Sequence, residues 1–417
     1  MPHADPPHVA LITAHDLGRH LGCYGIDEVE SPNLDGLAAD GVQCLNAVAT
    51  SPVCSPARGS LLTGRYPQSN GLLGLTHSPW WWRIDAGERT LPERLAAAGY
   101  ETHLAGLQHV APEDDRLGFD YRHAGPRDAA GTAAAAETIF ADADGPTYAQ
   151  FGFFETHRPF DREPEREVHV PSYLEPTDEM RADLGRFQAE IAHLDERIGE
   201  LLGGLEAAGV REDTIVVFAV DHGIPYPGAK WWCRDPGVGV ALLMDLPGVP
   251  ARTVEPVVST VDVVPTILEA IGMPIPERVE GTSLHPYLRG DTNEAPRQAA
   301  FTQFTSAGSE ARGVVTEAYT CIRNFGAGRT IAYPTAADPT VRAGENTGEP
   351  RPYAQLYDRT KDPANLEDLG NERPALVRRL SEDVRRWMAR VDDPLLRGGV
   401  RYPYHERALA DLHGANE

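Results

Sequence analysis

The sequence predicts an α/β fold: a mostly parallel sheet sandwiched by helices, followed by a smaller C-terminal α+β subdomain with an antiparallel sheet. Three observations carry that expectation. Short β-branched, apolar runs alternate with helical patterns through residues 1–295. Three of the runs end in acid and histidine: "HVALITAHD" (8–16), "YAQFGFFETH" (148–157) and "DTIVVFAVDHG" (213–223). From residue 296 to 417 the pattern changes to alternating segments broken by Pro and Gly.

The elements follow in order. "HVALITA" is a buried strand. "SPNLDGLAADG" (31–41) is a short helix with a Ser-Pro start and a Gly stop. "LPERLAAAGY" then "ETHLAGLQHV" reads helix, then strand. "EMRADLGRFQAEIAHLDERIGELLGGLEAAG" (179–209) repeats apolar residues at helical spacing and is the longest helix. "VGVALLMDLPG" is a further strand and "TVDVVPTILEAIG" a further helix. Beyond residue 296, "AAFTQFT", "GVVTEAYTCIRNF" and "TIAYPT" read as antiparallel strands, and "PALVRRLSEDVRRWMARV" as an amphipathic helix. Alternating strands and helices imply parallel pairing, and ligands of such sheets bind beyond the carboxyl ends of the strands. Polar clusters recurring at one end of several strands are what a composite site requires.

Composition narrows the partners. The 417 residues carry a formal net charge of −24, which disfavours nucleic acid and anionic membranes and serves solubility. No run reaches the roughly 18 apolar residues of a membrane span. The opening "MPHADPPHVALITAHD" has neither a basic n-region nor an apolar h-region, so the expected location is cytoplasmic. Five cysteines, without a CxxC pair, argue against a disulfide framework or a zinc knuckle. Cys23, Cys44, Cys233 and Cys321 are expected as small buried hydrophobes. Lysine occurs only at positions 230 and 361.

The chemistry-bearing positions begin at the strand ends. His15–Asp16 and Asp221–His222 either cap their strands or jointly hold one divalent cation. Cys54 opens "CSPARGSLLTG". It would serve as a thiolate beside Arg58 or a helix N-terminus, or as the precursor of something else.

"CSPAR" matches C-x-P-x-R, the motif that marks a cysteine for oxidation to formylglycine (3-oxoalanine). Together with "ITAHDLGRHLGCYG" before it and "VDHG" after it, in that order, it makes the chain resemble the sulfatase family of the alkaline phosphatase superfamily. The resemblance covers nearly the whole chain. "GLLGLTH", "GLQHVAPE", "DHGIPYP" and "QLYDRTKDPANLEDLG" are most similar to the heparan N-sulfatase (sulfamidase) branch and its bacterial relatives. It implies a formylglycine- and metal-dependent hydrolase of sulfate esters or sulfamates, matured by a formylglycine-generating enzyme.

Residue by residue, the resemblance implies metal ligation by His15, Asp16, Asp221 and His222 and a nucleophile derived from Cys54. Arg58 would orient that nucleophile. His109, His157 and Lys230 would contact sulfate or move the leaving-group proton. An aldehyde hydrate carries two hydroxyls on one carbon: one attacks sulfur in line, and loss of the other's proton expels sulfate. His77, Trp81 and Trp232 lie on segments expected at the pocket mouth. The tryptophans there either stack a sugar or aryl group, fill core, or meet a second copy of the chain.

Three positions depart from the family pattern. His15 stands in place of a first aspartate, His222 in place of an asparagine, and Leu107 in place of a lysine near the nucleophile. Calcium, the family's usual ion, prefers an all-oxygen shell, whereas imidazole favours manganese or zinc. An Asp-His-Gly ending is also found in phosphonate monoester hydrolases and zinc phosphodiesterases of the superfamily. The substrate is therefore expected to be a small sulfated or phosphorylated anion. A phosphodiester or phosphonate hydrolase and a non-catalytic paralogue are the other classes.

Overall fold

The structure is a computed structural model and describes residues 6–111, 117–164, 167–306, 308–326 and 351–412. The expected "TIAYPT" strand lies outside those residues.

Fourteen strands are found among the described residues: β1 His8–Ala14, β2 Val42–Cys44, β3 Ala47–Val48, β4 Glu101–Gly106, β5 Tyr121–Arg122, β6 Thr147–Gly152, β7 Thr214–Val220, β8 Leu242–Asp245, β9 Arg252–Val254, β10 Val258–Ser259, β11 Ala300–Phe304, β12 Ala311–Val315, β13 Tyr319–Asn324 and β14 Ala354–Asp358. Eight form the main sheet in the order β5-β4-β6-β1-β7-β8-β2-β9. The five from β5 to β7 are parallel, while β8 runs antiparallel to both of its neighbours. Helices flank this sheet, and its central strands are buried on both faces, which is why they read as continuous apolar runs.

Register decides where the site lies. Ala14 pairs with Val220, Thr13 with Gly152, and Gly106 with Gly152. The carboxyl ends of β4, β6, β1 and β7 therefore meet side by side. The chain leaving each carries one of the singled-out segments: Leu107–His109, Phe153–His157, His15–Asp16 and Asp221–His222.

The flanking helices are anchored by local chemistry. The Asp178–Ala207 helix starts at Thr177, whose hydroxyl accepts from Met180 N. Its buried Asp195 carboxylate accepts from the backbone N–H of Asn33 and Leu34 at 3.0 and 2.8 Å, capping the Pro32–Asp40 helix where its dipole favours an anion. Strands β11 to β14 form a separate antiparallel sheet with the Pro374–Arg390 helix packed on it. Trp387 of that helix stacks on Phe301 at 5.2 Å and meets Tyr66 edge-on, also at 5.2 Å. All five cysteines are free thiols; Cys23, expected inside, is only partly buried. Among the described residues no helix is long and apolar enough to cross a membrane.

Candidate active site

Cys54 is the first residue of the Cys54–Thr63 helix, which is buried along its whole length. Arg58, four residues on, lies on the same helical face. Its guanidinium reaches across to the strand ends and is fully committed there: Nε donates to Asp221 Oδ2 at 3.0 Å, Nη1 to Thr13 Oγ1 at 3.1 Å and Nη2 to the Ala14 carbonyl at 3.0 Å. Arg58 thus braces Asp221 from the cysteine helix, and its own exposure is 1%.

Around this brace the charged groups crowd together. Lys230 Nζ donates to both carboxylate oxygens of Asp16, at 2.9 and 2.7 Å. Asp221 Oδ1 accepts from the backbone N–H groups of Asp16 and His222. His222 Nδ1 donates to the Gly223 carbonyl at 2.9 Å, which fixes the ring. Its Nε2 then faces Asp16 Oδ1 at 3.0 Å and Cys54 Sγ at 3.2 Å. His15 Nδ1 sits 2.9 Å from Asp221 Oδ2 but out of line for a hydrogen bond, and His15 Nε2 has no hydrogen-bond partner.

The electrostatics follow from that crowding. Burial works to raise the Cys54 thiol, but Lys230 and His222 outweigh it and hold the group well below the usual thiol range. Burial likewise works against charge on His222, yet Asp221, the Cys54 thiolate and Asp16 push it up to about 10. His15 rises to about 9: burial and Arg58 oppose its charge, and Asp221 and Asp16 overcome them.

Of the remaining positions, His109 and His157 flank His15 with ring centroids at 5.3 and 5.4 Å. His157 Nδ1 donates to the Arg158 carbonyl, and burial lowers the affinity of its ring for a proton. His77 stacks on the outer side of His109 at 5.7 Å and meets Trp80 edge-on. Trp81 lies outside the charged cluster with Arg407 4.4 Å over its ring, and Tyr402 packs on Trp82. Trp232 is 9% exposed, with Arg351 and Arg234 over its ring at 4.0 and 4.8 Å. Trp231 N donates to the Pro52 carbonyl, tying the Lys230 turn to the segment before Cys54. Asp16, His109 and Trp231 all adopt positive φ, at 49°, 57° and 75°, a region non-glycine residues enter at an energetic cost.

Sequence reasoning missed three residues. Thr13 is the hydroxyl partner of Arg58. Phe154 packs against both His15 and His157, at 6.0 and 5.0 Å. Arg127 stacks on Phe154 at 4.0 Å. Thr13, inside "ITAHD", and Phe154, inside "FFETH", lie in segments the sequence singles out, whereas Arg127 carries no local signal.

Two sets of donor atoms lie within 4.8 Å of one another: His15, Asp16, Cys54 and Asp221, and His15, Cys54 and His109. A buried, unpartnered imidazole nitrogen beside two ionised carboxylates suits a divalent cation, so the residues present fit one.

Residues 7–273 match the model of the Sulfatase family. The chain belongs to the sulfatase family. Residues 229–341 also match the model for "N-sulphoglucosamine sulphohydrolase, C-terminal", a stretch that straddles residue 296. Human N-sulphoglucosamine sulphohydrolase is 27% identical over 94% of this chain and 91% of its own length. Human arylsulfatase A is 29% identical over 88% and 84%. An ulvan-active sulfatase of Formosa agariphila is 29% identical over 80% and 76%. Two solved structures share the fold: a 2-O GAG sulfatase (TM-score 0.75, 19% identity, covering 95% of each chain), and a protein in complex with its substrate D-glucosamine-2-N,6-O-disulfate (TM-score 0.70, 16% identity, 93% and 98%). The chain is thus a sulfuric ester or sulfamate hydrolase of this family.

Proposed function

We propose that this sulfatase hydrolyses a small sulfated saccharide, by ester or sulfamate cleavage, using a formylglycine formed from Cys54. The observation that supports this most is the convergence of Cys54, Arg58, Lys230 and the His15/Asp16/Asp221/His222 set at the carboxyl ends of the adjacent parallel strands β1 and β7. Formylglycine would supply, as its hydrate, a nucleophile able to release sulfate again. Cys54 is 2% exposed, so a formylglycine-generating enzyme would have to act before its helix docks.

His15, Asp16 and Asp221, whose donor atoms lie together, would hold one divalent cation with His222, whose Nε2 faces Asp16, as the remaining ligand; such an ion would supply positive charge to acidify the attacking hydroxyl and offset that of sulfate. The two imidazoles favour manganese or zinc over calcium. Arg58 keeps Asp221 oriented. Lys230 presents positive charge where an anionic sulfate arrives. His157 holds a neutral ring at rest; the incoming anion favours its protonation, and its Nε2–H is then placed to protonate the leaving oxygen or nitrogen. The same two imidazoles also support a second reading, a phosphodiester or phosphonate hydrolase on this scaffold.

The test is the mass of the Cys54 peptide after co-expression with a formylglycine-generating enzyme, with parallel assays on sulfate, sulfamate and phosphodiester substrates. Aldehyde formation together with dominant sulfate or sulfamate turnover is expected. An intact thiol with full activity would remove the formylglycine mechanism, and dominant phosphodiester turnover would transfer the assignment to the second reading.

A further inference from the structure

Arg127 is exposed, yet its guanidinium is held in place. It lies 4.0 Å over the ring of Phe154, and that ring lies 5.0 Å from His157. Those two steps put the guanidinium within 9 Å of the imidazole proposed to serve the leaving group. Stacking uses only the face of a guanidinium and leaves its fork of N–H donors at the edge. Among the described residues no carboxylate bonds to that fork. The adjacent Asp128 is engaged elsewhere, its side chain accepting from Gly131 N at the start of the Ala129–Ala141 helix.

The surroundings make this placement informative. The chain has 62 acidic residues against 38 Lys and Arg, so an unneutralised arginine beside the site runs against the overall charge. Phe154 also packs on His15, so a ligand held at Arg127 rests on the same ring that supports the reacting groups. The device recurs in part at Trp81 under Arg407 and at Trp232 under Arg351.

We propose that Arg127, stacked on Phe154, forms an anion subsite that binds a second negatively charged group of the substrate, one saccharide unit or less from the scissile sulfate. The preferred substrate is then a saccharide with two anionic groups, not a mono-anionic aryl sulfate. The fork suits either a second sulfate or a uronate carboxylate, bound bidentately. This inference rests on the sulfate-hydrolase reading above.

The experiment compares kcat/KM of the wild type, Arg127→Ala and Arg127→Lys on N-sulfoglucosamine, its 6-sulfate, and a uronate-linked N-sulfoglucosamine disaccharide. The wild type is expected to prefer one of the dianions. Arg127→Ala lowers that dianion-to-monoanion preference tenfold or more, mainly through KM, and Arg127→Lys restores part of it through charge without the fork. Whichever dianion loses its advantage identifies the second group. An equal fall on all three substrates would make Arg127 a mere support for Phe154, and no change in preference would overturn the subsite. If the wild type turns over no sulfated probe, the hydrolase reading fails separately. Calorimetric binding of the same probes then decides: dianion-selective binding lost in Arg127→Ala upholds the subsite, and no selectivity in the wild type removes it.

Discussion

Two buried arginine–aspartate pairs sit in different parts of this molecule, and they differ in how fully they are satisfied. Arg312 on β12 pairs with Asp393, both at 0% exposure, and its Nη1 also donates to the carbonyls of Phe304 and Ala311. The Asp393 carboxylate accepts in addition from Gln68 Nε2 and the Leu395 N–H, so both members of the pair are bonded, and among the described residues no second cation bonds to the carboxylate. Arg58 pairs with Asp221 just as deeply, but the cluster around it also holds Lys230, His15, His222 and a lowered thiol, and leaves His15 Nε2 and His109 Nδ1 without partners. A buried charge that is fully bonded specifies structure. One that is over-supplied with charge and short of partners is kept ready for a ligand.

The largest effect separating the two regions should come from Cys54→Ala. Sulfate release by the co-expressed, matured enzyme is expected to fall about 10⁴-fold or more, while circular dichroism stays native. Arg312→Met addresses the other region: leaving Asp393 buried and unpaired should destabilise by about 3–5 kcal/mol, read by denaturant unfolding, with turnover per folded molecule retained. A loss under about 1 kcal/mol would show that the pair is not structural, and the contrast would collapse.

Metal addition sharpens the same contrast. Manganese or zinc at about 100 times its Kd should stabilise the wild type by about 2.7 kcal/mol in thermal unfolding, more than calcium at equal concentration. His15→Ala should lose most of that gain, and Arg312→Met should keep it.

The smallest expected effect is on acid stability. Arg359 and Arg19 both pair with Asp235 and, against the opposing effect of burial, hold its carboxyl below the usual 3.8. A depressed carboxyl stabilises fully above its unfolded-state pKa, so this contribution persists at neutral pH and disappears as pH falls below about 4. The difference between wild type and Asp235→Asn in unfolding midpoint should be constant from pH 5 to 8 and shrink on further acidification. A flat difference down to pH 2 would refute the assignment.

Much of this was legible in the chain. β1, β6 and β7 announced themselves through apolar runs, β-branched in β1 and β7 and aromatic in β6, that end in acid and histidine, and the direction of such a sheet brings those ends together. The Cys54–Arg58 spacing carried its chemistry within five residues. What escaped depends on neighbours distant in sequence. β2, β3, β9 and β10 are only two or three residues long, too short to show a period. The antiparallel direction of β8 is set by its connection, not its composition. "AQLYD" was read as part of a family segment, and only its pairing with β13 makes it a strand. Arg127 had no local signal, because its meaning comes from Phe154, placed beside it by the fold.

The positive φ angles at Asp16 and His109 also bear on how this protein can change over generations. Glycine would relax the backbone there but delete a side chain the site employs. A β-branched residue would lose the side chain and deepen the strain as well. Each position is constrained twice, for independent reasons. Ala14 is the opposite case: it serves Arg58 with its carbonyl, which every residue possesses, so drift there is limited only by space. Among descendants of this sequence, variation should therefore collect at positions that contribute backbone atoms to the site, and stay rare where an unusual backbone angle and a working side chain coincide.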